Sequence, residues 1–190
     1  MLGNRKNLLY YVGLFSPLIF LILLVLVFSL LHPRFLHPLN IFNVMRQISI
    51  AGLIALGMTF VIIVRGIDLS VGSLLALCGL VGAVIAKGGL VERFSVGANA
   101  DLVNPWYWAL IGSVGIGLLA GALNGLCITK LRVPAFVVTL GGLSAYRGAA
   151  LIVSDGGPIS GFDDAYRWIG QGKIGEVPIP VIIFLVFIIL

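Results

Sequence analysis

A carboxylate and two hydroxyls stand close together in Val64-Arg65-Gly66-Ile67-Asp68-Leu69-Ser70-Val71-Gly72-Ser73, a stretch set between two apolar runs. Gly66 relaxes the backbone there. The Asp68 carboxylate is placed to accept from the amides of Ser70 and Val71 and so start a new helix. Arg65 is near enough to Asp68 to pair with it. Two readings of this break stay open. One is a tight cytoplasmic hairpin with a capped helix start, which local chemistry slightly favours. The other is a helix interrupted at membrane depth, where unwound backbone and a half-helix N-terminus contact polar solutes or steer a gate. On the second reading Asp68, Ser70 and Ser73 lie on a path or gate. On both, Arg65, Gly66 and Asp68 make the break.

Two more polar residues sit inside apolar runs. Asn124 is either an interhelical hydrogen bond or a solute contact, and the first is favoured. Arg147 follows Tyr146, and a cation there must snorkel, pair, or face a polar cavity. A structural pair, with Asp68 or Asp155, is favoured over a solute contact. Thr139 and Ser144 are expected to bond within their own helix. Catalysis in the membrane would need a nucleophile–base pair or a metal cluster. No Ser–His, Cys–His or paired-carboxylate set is evident in the apolar runs, so no catalytic residue and no metal ligand is assigned. His32 and His37 lack a nearby carboxylate and make a poor metal site. Cys78 and Cys127 read as small buried hydrophobes.

The elements that carry these residues are set by composition. The chain has 190 residues, 60% hydrophobic and only 10% charged. A soluble domain has about 25% charged residues. A chain this apolar cannot cover itself with polar surface, so lipid is its solvent. The net charge of +5 is spread thinly between apolar runs and forms no patch for successive phosphates, which argues against nucleic acid.

A membrane-spanning helix takes about 20 apolar residues. Six segments qualify as candidates: Leu8–Leu31, Ile48–Val64, Leu69–Ala86, Trp106–Ile128, Val133–Val153 and Val177–Leu190. The last is too short to span, so the expectation is an all-α polytopic bundle of about five full spans plus an incomplete sixth, in one domain over residues 1–190. The first run is too long for a signal-peptide core of about 7–15 residues. After the Pro33 and Pro38 link, Asn40 is expected to cap a surface helix with Ile41, Val44, Met45 and Ile48 on one face. Arg5, Lys6, Arg65, Lys130 and Arg132 fall on one side if the N-terminus is cytoplasmic. Arg34 and Arg46 disagree with that orientation. The other side then holds Lys87, Glu92, Arg93 and Asp101 in one loop and Asp155, Asp163, Asp164, Arg167, Lys173 and Glu176 in another. Trp106, Tyr107 and Trp108 read as an interfacial anchor. Ser113, Gly117, Gly121 and Gly125 recur every four residues and offer a groove for close helix packing or a dimer interface.

Several stretches together resemble one family. Gly66-Ile67-Asp68-Leu69-Ser70-Val71-Gly72-Ser73 is similar to the signature of the ribose/xylose-type permeases of ATP-binding-cassette importers. Asn40-Ile41-Phe42-Asn43, Gly57-Met58-Thr59-Phe60-Val61-Ile62, Val133-Pro134-Ala135-Phe136-Val137-Val138-Thr139-Leu140-Gly141-Gly142, Tyr146-Arg147-Gly148 and Val177-Pro178-Ile179-Pro180-Val181 follow in the family's order. The resemblance implies a bacterial inner-membrane subunit. It would form a monosaccharide path with a second permease subunit, fed by an extracytoplasmic sugar-binding protein and driven by cytoplasmic ATP-binding subunits. It implies no cofactor on this chain, and nothing here resembles G-x-x-x-x-G-K-[ST]. A typical member is half as long again or more, and its main ATPase-engaging loop lies beyond the helix that Val177 begins. The alternative is therefore a truncated, transport-incompetent membrane protein with a structural or assembly role.

Overall fold

The computed structural model describes residues 2–89 and 104–190, with side chains from Tyr11 onward except Val12. The side chains of Arg5 and Lys6, and all of Glu92, Arg93 and Asp101, lie outside the described residues. The chain divides into two compact units, Met1–Gln47 and Ile48–Leu190.

The first unit holds α1, Leu2–Leu31, and the first turns of α2, Pro38–Ile63. Pro17 lies inside α1 and has no N–H for the Gly13 carbonyl. Ser16 Oγ donates to that carbonyl at 3.0 Å, so the freed acceptor is satisfied without water. In the following link the Phe28 and Phe35 rings stack with centroids 5.7 Å apart. The expected surface helix and second span are one continuous helix. It starts at Pro38, not after Asn40, because a proline fits the first helical position and lacks the N–H that would go unbonded there. His37 caps it, its Nδ1 accepting from Leu39 N at 3.4 Å. Asn40 Nδ2 instead donates to the Phe35 carbonyl at 2.7 Å. Ile41, Val44 and Met45 line a small cleft with Val25 and Phe35.

The second unit contains the rest of α2 and the helices α3, Val71–Ala86, α4, Trp106–Thr129, α5, Ala135–Ser154, α6, Asp164–Gln171, and α7, Ile179–Ile189. A two-residue hairpin pairs β1, Lys173–Ile174, with β2, Val177–Pro178. Among the described residues four helical segments are long and apolar enough to cross a membrane: Gly13–Leu31, Pro38–Ile63, Trp106–Thr129 and Ala135–Ser154. Helices α3 and α7 are apolar but shorter. The α6 helix was not among the expected elements. It is too short and too polar for a search for spans, and its start is capped by Asp163, which accepts from Tyr166 N at 3.3 Å.

Helix α3 is the centre of this unit. Ser73, Leu77, Gly82, Ala83, Val84 and Ala86 on it are buried, chiefly against α4 and α5. Its pairings fix the directions. Ser113 Oγ donates to the Cys78 carbonyl at 2.9 Å and Asn124 meets Ser70, so α4 is antiparallel to α3. Thr139 reaches Ile67, and Leu80 shares a groove with Ser154, so α5 is parallel to it. The far end of α3 is tied down too. Asn104 Nδ2 donates to the Ile85 carbonyl at 2.9 Å, and Lys87 Nζ to the Gly161 carbonyl at 3.3 Å. Lys87, which opens the outer loop expected from the sequence, is buried. Elsewhere α2 passes α7 where Gly52 faces the Phe184 ring, with no room for a Cβ.

Candidate functional site

The break between α2 and α3 begins with a helix end of defined geometry. Arg65 N donates to the Ile62 carbonyl and Gly66 N to the Val61 carbonyl, both at 2.9 Å. These are the two bonds of a Schellman motif, which places a left-handed residue just past the helix. That residue is Arg65, with φ 59°, and not Gly66. Gly66 has a steric role, since a Cβ on it would lie 3.2 Å from both Val61 Cγ1 and the Val61 carbonyl oxygen.

Asp68 closes onto the next residues. Its Oδ1 accepts from Ser70 N at 2.8 Å and from Ser70 Oγ at 2.6 Å. The Val71 amide is not reached, and Arg65 forms no ion pair with Asp68. The ion pair found among the described residues is Arg167 with Asp164, at 3.8 Å. Ser70 is fully buried. Its carbonyl accepts from Ser73 Oγ and from Leu74 N, each at 2.9 Å, which turns the Ser73 hydroxyl back onto its own helix.

From Ser70 the polar chain crosses to both neighbouring helices. Asn124 Nδ2 donates to Ser70 Oγ at 3.2 Å. Asn124 Oδ1 accepts from the Tyr146 hydroxyl at 2.8 Å, and the Ala120 carbonyl lies 3.2 Å from the same hydroxyl. Tyr146 has one proton, and the shorter contact is the stronger claim on it. Gly142 leaves the space. A Cβ there would lie 3.1 Å from Tyr146 Cε2, 3.2 Å from Ser70 Cβ and 3.5 Å from Asn124 Oδ1. Thr139 Oγ1 bonds within its own helix, to the Ala135 carbonyl at 2.8 Å, and also lies 3.2 Å from the Ile67 carbonyl.

These contacts place the start of α3 inside the bundle. Asn124 precedes Thr129, the last residue of α4, by more than one turn, about 7 Å. Gly142 follows Ala135, the first residue of α5, by two turns, about 10 Å. The chain therefore begins α3 between its neighbours and not beyond their ends.

Arg147 stands apart from this chain of bonds. It pairs with neither Asp68 nor Asp155 and has no hydrogen bond or ion pair among the described residues. It lines a groove of about 440 Å³ between α3 and α5, together with Gly72, Ser73 and Ser154.

The glycine stripe of α4 divides. Ser113 bonds to α3, and a Cβ on Gly117 would lie 3.5 Å from Cys78 Sγ. A Cβ on Gly121 or Gly125 would meet nothing within 4 Å. A strict four-residue spacing advances about 40° beyond each full turn, so three steps carry the stripe about 120° around the helix. The face that meets α3 runs through Gly112, Ser113, Gly117 and Asn124. Of the bonded residues, Tyr146 and the space at Gly142 were not singled out as site residues. Their signal was a glycine and an aromatic hydroxyl four residues apart on one helical face.

Residues 40–190 match the family described as branched-chain amino acid transport system / permease component. The chain is 42% identical over 179 residues to the ribose import permease protein RbsC of Bacillus subtilis, covering 92% of this chain and 51% of that protein. It is 39% identical over 170 residues to the ribose import permease protein RbsC of Escherichia coli K12, covering 87% and 49%. It is 36% identical over 143 residues to the xylose transport system permease protein XylH of Haemophilus influenzae, covering 75% and 35%. The chain spans about half the length of the ribose permeases it matches. No solved structure matches it.

Proposed function

This chain belongs to the permease-component family that matches residues 40–190, and from that premise we propose that it is a transmembrane subunit of an ATP-driven, binding-protein-dependent monosaccharide importer. The printed names of its relatives, ribose and xylose permeases among them, support a pentose or a similar small sugar. On this reading the protein lies in the bacterial inner membrane with its N-terminus in the cytoplasm. A second permease subunit completes the path. Cytoplasmic subunits bind and hydrolyse ATP, and an extracytoplasmic protein delivers the sugar.

The observation that carries the mechanism is the buried start of α3, held by Asp68, Ser70, Asn124 and Tyr146. An alternating-access path needs elements with two discrete arrangements. A helix that begins between its neighbours, its start held by one side-chain hydrogen bond from Asn124 to Ser70, is suited to move as one piece. Asp68 acts here as a positioning residue for Ser70. Its bonded carboxylate oxygen is committed to the turn, which makes direct sugar contact through that oxygen unnecessary to its role.

The test is uptake of radiolabelled ribose, xylose and allose in cells with the gene deleted and restored. Loss and recovery of uptake of one of them is expected. Uptake of all three unchanged by deletion would overturn the assignment. In restored cells Asp68→Asn and Asp68→Ala should lower uptake while membrane levels hold. Uptake indifferent to both removes Asp68 from the mechanism.

A further inference from the structure

A sugar is held by several groups that match its hydroxyls, and the break at Asp68 offers few, because its polar atoms bond to one another. A second concave site in the same unit offers more. A cavity of about 360 Å³ lies between the first turns of α4 and the helix α6, within the size range of small-molecule pockets. Its walls include the rings of Trp106, Phe162 and Tyr166 and the polar side chains of Ser113, Arg167 and Gln171. Arg167 and Gln171 are four residues apart and share one face of α6. The helix is tied at both ends. Asp163 caps its start. At its other end Gly172 N donates to the Trp168 carbonyl at 2.7 Å, and the Gly172 carbonyl accepts from Ile179 N at 3.0 Å. The Phe162 and Tyr166 ring centroids are 4.9 Å apart. Ser113 Oγ spends its proton on the Cys78 carbonyl, so its oxygen can still accept. The Tyr166 hydroxyl reaches α3, where a Cβ on Gly82 would lie 3.5 Å from it.

We propose that this cavity is a monosaccharide subsite at the extracytoplasmic mouth of the path, occupied by the sugar after it leaves its binding protein. The proposal rests on the importer reading, which places the loops before α4 and α6 on the outer side. A sugar ring presents a face of C–H groups and an edge of hydroxyls. The C–H face suits the electron-rich faces of aromatic rings. The hydroxyl edge suits Ser113, Tyr166, Arg167 and Gln171, which together supply both donors and acceptors. An acyl chain would fill the volume but match none of these polar groups. A neutral ligand also fits better than an anion, because Arg167 already has Asp164 at 3.8 Å. Since Tyr166 abuts α3, a shift of α3 changes the cavity that holds the sugar.

The test is saturation-transfer difference NMR on the protein expressed from its own gene and purified in detergent, with D-ribose, D-xylose and D-allose each added alone. The sugar whose uptake depends on this gene should receive saturation from the protein. The transfer should fall about tenfold in Tyr166→Phe and in Gln171→Leu, each of which leaves a sugar hydroxyl unpaired, and in Trp106→Leu. It should persist in Ala165→Gln, an exposed position on α6 outside the cavity. Size-exclusion profiles that match the parent show that each variant is folded. In cells the first three variants should lower uptake while membrane levels hold. No transfer to any of the three sugars, or transfer indifferent to all three substitutions, overturns the subsite; uptake that still depends on the gene then leaves the importer assignment standing. Uptake of all three sugars unchanged by deletion is the separate failure of that assignment. A phospholipid retained in native mass spectra of the parent and lost in Trp106→Leu, without sugar transfer, gives the cavity to lipid and also overturns the proposal.

Discussion

Asn124 Nδ2 donates to Ser70 Oγ at 3.2 Å across 54 positions of sequence, joining the C-terminal part of one apolar helix to the start of another. The same amide accepts from Tyr146 on a third helix, so one side chain fixes the register of α3, α4 and α5. Interhelical hydrogen bonds of this kind contribute about 0.6 kcal/mol each. Asn124→Leu keeps the volume and removes both, at a cost of about 1 kcal/mol. Thermal unfolding in detergent should report that loss. Amide exchange at 68–74 should rise more than exchange at 112–118, and equal changes at both would show that the bond to Ser70 does not hold the break.

Gly142 and Gly141 are adjacent on α5 and should respond in opposite ways. At Gly142 a Cβ presses on Tyr146 and Ser70 from 3.1 and 3.2 Å, while at Gly141 it meets nothing within 4 Å. Gly142→Ala is expected to destabilise by about 1–3 kcal/mol through overpacking. Gly141→Ala is expected to be neutral or to stabilise by up to about 1 kcal/mol through helix propensity. Fluorescence-detected size-exclusion after a heating series separates the two, and a stable Gly142→Ala would contradict the packing described.

The division of the α4 stripe makes a third contrast. A Cβ on Gly112 would collide with Ile85 Cδ1, and one on Gly82 with Ser113 Oγ. Gly112→Val and Gly82→Val should therefore lower the unfolding temperature, Gly82→Val the more because the Ala109 carbonyl oxygen also lies 3.3 Å from that Cβ. Gly121→Leu should leave the unfolding free energy of the chain within about 0.5 kcal/mol of its parent, as substitutions away from packed features do. Blue-native gels of Gly121→Leu then report assembly alone, and a smaller complex would place that face at a contact with another chain.

Tyr166 gives a pH dependence outside the spanning helices. Burial raises its phenol above the ordinary value. The unfolded chain ionises first, near pH 10. Its proton loss makes the unfolded state relatively more favourable, so the contribution of Tyr166 is complete below about pH 10 and is lost as pH rises through the folded value. The melting temperature should fall more steeply above pH 10 in the parent than in Tyr166→Phe. Parallel curves would show that the phenol is not what titrates.

Much of this protein was legible in its residues. Lipid offers the backbone no hydrogen-bond partners, so long apolar runs must be helical. That principle marked α4 and α5 close to their observed ends and α1 at its C-terminal end, while α1 starts at Leu2 and not at Leu8. The same chemistry marked a break where Arg65, Gly66 and Asp68 interrupt two apolar runs, and the ordered motifs pointed to the permease family. Local rules also misplaced details that depend on neighbours in space. Asn40 was expected to cap a helix that Pro38 begins, and Arg65 takes the left-handed conformation expected of a glycine.

Composition and run length thus determined that the chain is a helical membrane protein and where its break falls, because those follow from each segment's own need to satisfy its backbone and bury its side chains, whereas α2 extends back to Pro38 and α3 is shorter than the expected spans. The tertiary structure alone decided that α3 starts inside the bundle, that Ser113 and Gly117 are packed while Gly121 and Gly125 are open, and that Asn124 joins Ser70 to Tyr146 while Arg147 faces a groove. Those outcomes depend on which helix faces interlock, and contacts 54 and 72 positions apart settle that. No local pattern of residue types records the rotation of one helix against another.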